Sequence, residues 1–249
     1  MVLMNVGTMQ FRSRVLERRI TFAFTLPLAR HAGPGPYPAL LQLHGWGGDH
    51  ATWLHSSRLA HYLEGMPLVA IMPDGGNNHW LNQGPQERIE DFVLEDLLPA
   101  CEEFFPIRTG RWAIGGASMG GYGAVRLGLK YPDRFGSIIA HAGRYLDRTA
   151  LDASAPLLTP EQRADADVFA WARQAVGRPD RPVLRLDCGS DDPLLAQNRA
   201  FHRYLRHIGY AHAYDEYPGA HTGDYFDERL RDAPRRHREA LAGEHAPPA

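Results

Sequence analysis

The sequence predicts an α/β fold, a mostly parallel sheet covered by helices on both faces. Three observations predict it. Short apolar runs, each the length of one buried strand, recur at 39–43, 68–72 and 112–116, and further strands are read at 137–140 and 183–186. Stretches with apolar residues at helical spacing alternate with them. One strand-like run passes straight into a helix through Gly116-Ala117-Ser118-Met119-Gly120.

The elements follow in order. Residues 11–27 alternate loosely, are rich in Arg, Ile, Thr and Phe, and end at Pro27, which predicts an edge strand. A Gly/Pro cluster at 33–38 makes a turn. The strand 39–43 stops at the flexible His44-Gly45-Trp46-Gly47-Gly48, and Trp53, Leu59 and Leu63 mark a helix after it. The strand 68–72 closes on Pro73-Asp74-Gly75-Gly76. Ile89, Val93 and Leu97 set a helix over 87–105, and the helix from Met119 runs to Tyr131 before Pro132. After the strand 137–140, residues 147–182 are polar, helix-prone and punctuated by Pro156, Pro160, Pro179 and Pro182. That segment interrupts the alternation and reads either as a small cap over the site or as a surface excursion. Strand 183–186, a helix over 196–208 and a last strand, 211–217, complete the pattern, with a frayed tail at 242–249. One domain over 1–249 is expected.

Composition narrows the function classes. A formal charge of −2 gives no electrostatic footprint for nucleic acid, and no apolar stretch approaches the roughly 18 residues that span a bilayer. Two cysteines, Cys101 and Cys188, build no disulfide framework, and neither CxxC nor Cys/His zinc spacing occurs, so no metal is expected. The Arg-rich N-terminus lacks the apolar core of a secretory signal, which predicts a cytoplasmic protein.

The chemistry gathers at Ser118. Gly-x-Ser-x-Gly between strand and helix is a nucleophile elbow, in which a sharp turn presents the hydroxyl above the sheet. The ordinary alternative, a chance match in a Gly-rich chain, is weakened by that strand–turn–helix context. A serine needs a base, and the base an acid that holds its tautomer. Asp192 in Gly189-Ser190-Asp191-Asp192 and His221 in Pro218-Gly219-Ala220-His221 follow the serine in that order, each after a predicted strand. Asp191 is expected to cap the next helix; Asp187 and Asp224 are the next candidates for the acid. His44, His50, His79 and His141 fall before the serine or too soon after it. His202, His207, His237 and His245 lie on polar helices or the tail and are expected to face solvent. Lys130, the only lysine, stands twelve residues beyond Ser118, roughly 18 Å along one helix, which excludes a Ser/Lys pair. Backbone N–H groups of Met119 and Trp46 are the expected oxyanion donors, with Gly45, Gly47 and Gly48 letting the second loop approach. His79, Trp80, His141 and Tyr145 are candidates for lining the substrate pocket.

These residues resemble the putative-esterase family of α/β-hydrolases, which includes esterase D, tributyrin esterases, feruloyl esterases and mycolyltransferases. The matching stretches are Leu43-His44-Gly45 with Trp53, Met72-Pro73-Asp74-Gly75, the run from Gly116 to Ala124, Lys130 to Phe135, Cys188 to Asp192, and Pro218 to His221. The resemblance implies an α/β-hydrolase fold, Ser118 as nucleophile, His221 as base, Asp192 as acid, and Trp46 and Met119 as oxyanion donors. S-formylglutathione hydrolases usually carry His where Ala117 and Tyr122 stand, and an aromatic residue is common where Pro193 stands. The expected activity is therefore a serine carboxylesterase acting on short-chain or aryl esters, without a cofactor. An S-formylglutathione hydrolase, an acyltransferase of the same fold and a non-catalytic binding homologue are the alternatives. Oligomeric state is not legible.

Overall fold

The computed structural model describes residues 4–147, 149, 151 and 158–243. Eight strands form one sheet in the order β1-β2-β4-β3-β5-β6-β7-β8. They are β1 (Asn5–Arg12), β2 (Arg19–Leu26), β3 (Ala39–Leu43), β4 (Val69–Pro73), β5 (Trp112–Ala117), β6 (Phe135–His141), β7 (Val183–Gly189) and β8 (His212–Tyr217). The strands β3 to β8 run parallel, and β1 and β2 are antiparallel additions at one edge. This is the α/β-hydrolase arrangement.

Side chains alternate along each strand, so the sheet divides the interior into two cores. Leu41, Leu43, Val69, Ile71, Trp112 and Ile114 face one core, closed by the helices Leu98–Phe104, Met119–Lys130, Val168–Ala175 and Leu195–His207. Leu40, Ala70, Met72 and Ala113 face the other, where Trp53, Leu59, Leu230 and Leu241 come from helices of the second layer. The strands β3, β4, β5 and β6 are buried along their whole length, which is why they read as continuous apolar runs.

Four expectations are corrected. Residues 11–27 are not one edge strand but the end of β1, a loop and β2, paired as Phe11↔Ile20 and Arg12↔Arg19. The loop lacks Gly and Pro because the buried carboxylate of Asp96 holds it, accepting from Ser13 Oγ (2.6 Å) and the Val15 N–H (2.9 Å). The helix after Trp46 is two short turns, Thr52–His55 and Leu59–Tyr62. Within 87–105 the residues Phe92–Leu97 form a widened π turn directly ahead of Pro99, which has no N–H for the regular ladder. Past β8, the chain forms two helices that the strand pattern did not announce, Gly223–Leu230 and Ala233–Leu241.

The described part of 147–182 packs on the flank of the helix Met119–Lys130. Tyr122 Oη donates to the Ala166 carbonyl (2.8 Å), and Arg126 Nε donates to that of Asp165 (2.8 Å). Arg126 also pairs with Glu90 and with the Asp165 carboxylate, and Lys130 joins both acids. Desolvation opposes ionisation of Glu90, yet these cations and two hydrogen bonds hold its pKa below the ordinary value. Residues 148, 150 and 152–157 of the expected cap, and 244–249 of the expected tail, lie outside the described residues. Among the described residues, no helix is long and apolar enough to cross a membrane.

Candidate active site

The sharp turn at Ser118 is built by glycines on either side. A Cβ at Gly120 would lie 2.3 Å from the Leu43 carbonyl oxygen, and one at Gly116 would lie 2.5 Å from the Gly120 carbonyl carbon and oxygen. Only bare backbone lets β5, β3 and the following helix close this tightly. Ser118 between them adopts φ 56° and ψ −118°, a conformation that costs a non-glycine residue about 1–3 kcal/mol. Two main-chain bonds hold it there: its N–H donates to the His141 carbonyl (2.9 Å), and its carbonyl accepts from the Tyr122 N–H (3.0 Å).

His221 Nε2 lies 2.8 Å from Ser118 Oγ, and His221 Nδ1 lies 2.7 Å from Asp192 Oδ2. A carboxylate can only accept, so Nδ1 carries the proton and Nε2 is left to accept from the serine hydroxyl. Asp192 is only 5% exposed, and its other oxygen accepts from the Leu194 N–H (2.8 Å). Asp191 points to solvent beside Ser190 Oγ (3.2 Å) and does not cap the helix Leu195–His207 as expected; the N–H near that helix start is taken by Asp192. The two loops are joined by main chain, Asp191 N–H to the Gly219 carbonyl (2.9 Å) and Ser190 N–H to that of Tyr217 (2.8 Å).

Opposite the imidazole, the loop after β3 passes beside the serine: a Cβ at Gly45 would meet Ser118 Cβ at 3.6 Å. Gly47 N–H donates to Asn77 Oδ1 (2.7 Å) and Gly48 N–H to the Gly45 carbonyl (3.1 Å), which fixes the loop. His44 is a buried strut: Nδ1 donates to the Gly45 carbonyl (2.8 Å) and Nε2 accepts from the Gly75 N–H (3.0 Å). Burial lowers its pKa, consistent with a neutral ring. Among the described residues, the N–H groups of Trp46 and Met119 have no hydrogen-bond acceptor.

A cavity of about 320 Å³ opens beside Ser118 and His221, walled by Trp46, Trp53, Thr52, Ser56 and Phe226. The four side chains expected to line it do not border it. Trp80 is fully buried, its ring over Gly75 and Gly123 and its Nε1–H donating to the His44 carbonyl (3.3 Å). His141 is buried beneath the elbow with Nδ1 on Asp187 Oδ2 (2.6 Å), and Tyr145 packs on Phe201 in the core at 4.7 Å. His79 is half-buried, 5.4 Å from the Trp46 ring, its pKa lowered by desolvation and by Arg144. Nearness to a strand end locates a residue along the sheet but does not say which way it turns. Phe226, edge-on to His221 at 5.0 Å, was missed because its helix was not anticipated. Trp53 stood out in the sequence as a helix position and in the family resemblance, but not as a wall of the pocket.

Other groups are equally settled. His237 is not solvent-facing but fully buried, with Nδ1 2.9 Å from Ser137 Oγ. Cys188 beside the acid loop and Cys101 in the core are both buried free thiols. Desolvation pushes the Cys188 pKa up to about 12 and that of Cys101 higher still.

Comparison with known proteins gives the same outline. A family model described as "Putative esterase" matches residues 13–237. The chain is similar to an acetyl esterase of Caldicellulosiruptor saccharolyticus, 27% identical over 259 residues that cover 92% of this chain and 97% of that protein. Among solved structures it resembles a ferulic acid esterase, with TM-score 0.81, 22% identity, and 96% of this chain and 99% of the other covered. It also resembles an S-formylglutathione hydrolase from Staphylococcus aureus, with TM-score 0.79, 23% identity, and 95% and 97% covered. At such identities the two structures show a shared fold.

Proposed function

The chain belongs to the "Putative esterase" family, and from that premise we propose that it is a serine carboxylesterase with Ser118 as nucleophile, His221 as base and Asp192 as acid. The observation that carries this reading is the hydrogen-bonded series Ser118–His221–Asp192, placed at the mouth of a cavity. Ser118 Oγ attacks the ester carbonyl while His221 Nε2 takes its proton. Asp192 stabilises the resulting imidazolium and keeps the ring turned toward the serine. The carbonyl oxygen, now negative, rests on the Met119 and Trp46 N–H groups. The C–O bond to the alcohol breaks as His221 returns the proton to that oxygen, leaving an acyl-serine. Water, deprotonated by the same imidazole, attacks the acyl carbon and releases the acid and the serine.

The substrate is a small acyl ester. A cavity of about 320 Å³ stands at the lower end of the roughly 300–1,000 Å³ usual for ligand pockets. Its aromatic walls suit an acetyl, butyryl or single-ring acyl group. The name of the acetyl esterase relative points the same way. The formylglutathione reaction is less well served, because Tyr122 directs its hydroxyl to the Ala166 carbonyl and Ala117 offers no imidazole.

Hydrolysis of p-nitrophenyl esters from acetate to laurate tests the reading. Ser118→Ala is expected to reduce kcat by about 10³-fold or more on every ester the parent cleaves, with an unchanged melting temperature. Activity within tenfold of the parent would refute Ser118 as nucleophile. A parent that prefers laurate would refute the small-acyl assignment.

A further inference from the structure

A second carboxylate lies beneath the three loops of the site without touching the reacting atoms. Asp187 stands two residues before the end of β7 and is 8% exposed. A charge so placed costs several kcal/mol unless it is bonded, and both oxygens are bonded. Oδ2 accepts from His141 Nδ1 (2.6 Å), and Oδ1 accepts from Tyr225 Oη (2.8 Å). Desolvation and the Asp187 charge raise the Tyr225 pKa far above its ordinary value, so the phenol remains a donor.

Each partner leads to a different loop. The main chain of His141 accepts the Ser118 N–H, and the next residue, Ala142, donates its N–H to the Asp187 carbonyl (2.7 Å). Ala142 itself has φ 45°, so two strained residues are held through one bonded path. On the other side, the edge of the Tyr225 ring abuts Gly219, two residues before His221: a Cβ at Gly219 would meet Tyr225 Cδ2 at 2.8 Å. Phe226, next in sequence, stands edge-on to the imidazole at 5.0 Å. Asp187 thus bridges the serine turn and the histidine loop from below, while its own strand leads into the loop that carries Asp192.

We propose that Asp187, acting through His141 and Tyr225, is a positioning residue that sets the distance and angle between Ser118 and His221. The claim rests on the esterase reading above. A displacement of about 1 Å between reacting groups costs on the order of 10²-fold in rate while barely altering how substrate binds.

The test compares Asp187→Asn and Tyr225→Phe with Ser137→Ala, which removes an equally buried hydrogen bond to His237 on the same face but reaches no site loop. On p-nitrophenyl acetate, kcat is expected to fall about 100-fold for Asp187→Asn and about tenfold for Tyr225→Phe, with KM within about threefold of the parent. The rate at which a fluorophosphonate modifies Ser118 should fall in the same order, and Ser137→Ala should keep both rates. Tyr225→Phe loses a single oxygen and decides the matter if Asp187→Asn does not fold. If Tyr225→Phe keeps kcat and the modification rate within twofold, or if KM rises while kcat holds, the positioning role is overturned. Activity surviving in Ser118→Ala would instead overturn the esterase reading beneath it.

Discussion

Adjacent carboxylates at the end of β7 meet opposite surroundings. Asp192 is enclosed and gives one oxygen to His221 and the other to the Leu194 N–H, whereas Asp191 faces water. Asp192→Asn keeps the shape but offers an amide where the imidazole needs an anion. It is expected to lower kcat by as much as about 10⁴-fold, as in other triads, and Asp191→Asn by less than about threefold. Steady-state kinetics on both variants checks the assignment, and reversed losses would move the acid to Asp191. At this scale the sequence was informative about loops and silent about rotation. Chain order and the Gly-x-x-Asp and Pro-Gly-x-His spacings led to Ser118, Asp192 and His221, the residues now joined by hydrogen bonds. Trp80, His141 and Tyr145 occupy equally suggestive positions but turn into the core, because side-chain direction depends on packing partners distant in sequence.

The element that matters most is the strand–turn–helix around Ser118, and it was the most legible. Its glycines stand where a methyl group would strike backbone, so their spacing records a steric requirement. Gly120→Ala would place a carbon 2.3 Å from the Leu43 carbonyl oxygen and 2.7 Å from that of His44. Neither can yield without moving β3, so a loss of about 3 kcal/mol or more is expected, measured by urea unfolding. Stability within 1 kcal/mol of the parent would mean that the turn is looser than its geometry. The hairpin β1–β2 was illegible for the opposite reason. Its loop is held by Asp96, 83 residues from Ser13, and no local turn residue announces it. The π turn and the two helices after β8 did leave local signals, Pro99 for the first and Phe226, Leu230, Ala233 and His237 at helical spacing for the others, which the strand pattern passed over.

Across the whole molecule, buried imidazoles link stability to pH. Desolvation, with nearby His141 and Arg185 adding to it, pushes the His237 pKa down to about 3. In the unfolded chain the ring titrates near 6.5. Between those values the unfolded state binds the proton and the folded state does not, so stability is complete above pH 6.5 and declines as pH falls toward 3. One such group contributes a slope of at most about 1.4 kcal/mol per pH unit. His44, His202 and His212, also lowered mainly by desolvation, act in the same direction. Melting temperature is therefore expected to drop from pH 6.5 to 4, and His237→Gln should flatten that dependence. An unchanged slope in the variant would show that His237 takes up a proton without unfolding.

The two enclosed thiols have a further consequence. With their pKa values raised by desolvation, Cys101 and Cys188 offer neither thiolate nor access to an alkylating agent while the chain is folded. Cys101 lies in the core beside the π turn, and Cys188 lies in β7 under the acid loop. Each sulfur therefore becomes reactive only when its own region opens, so the pace of iodoacetamide labelling at the two positions acts as a pair of clocks. One times the breathing of the helical layer and the other the loosening of the strand that carries the acid, with no foreign label built into the protein.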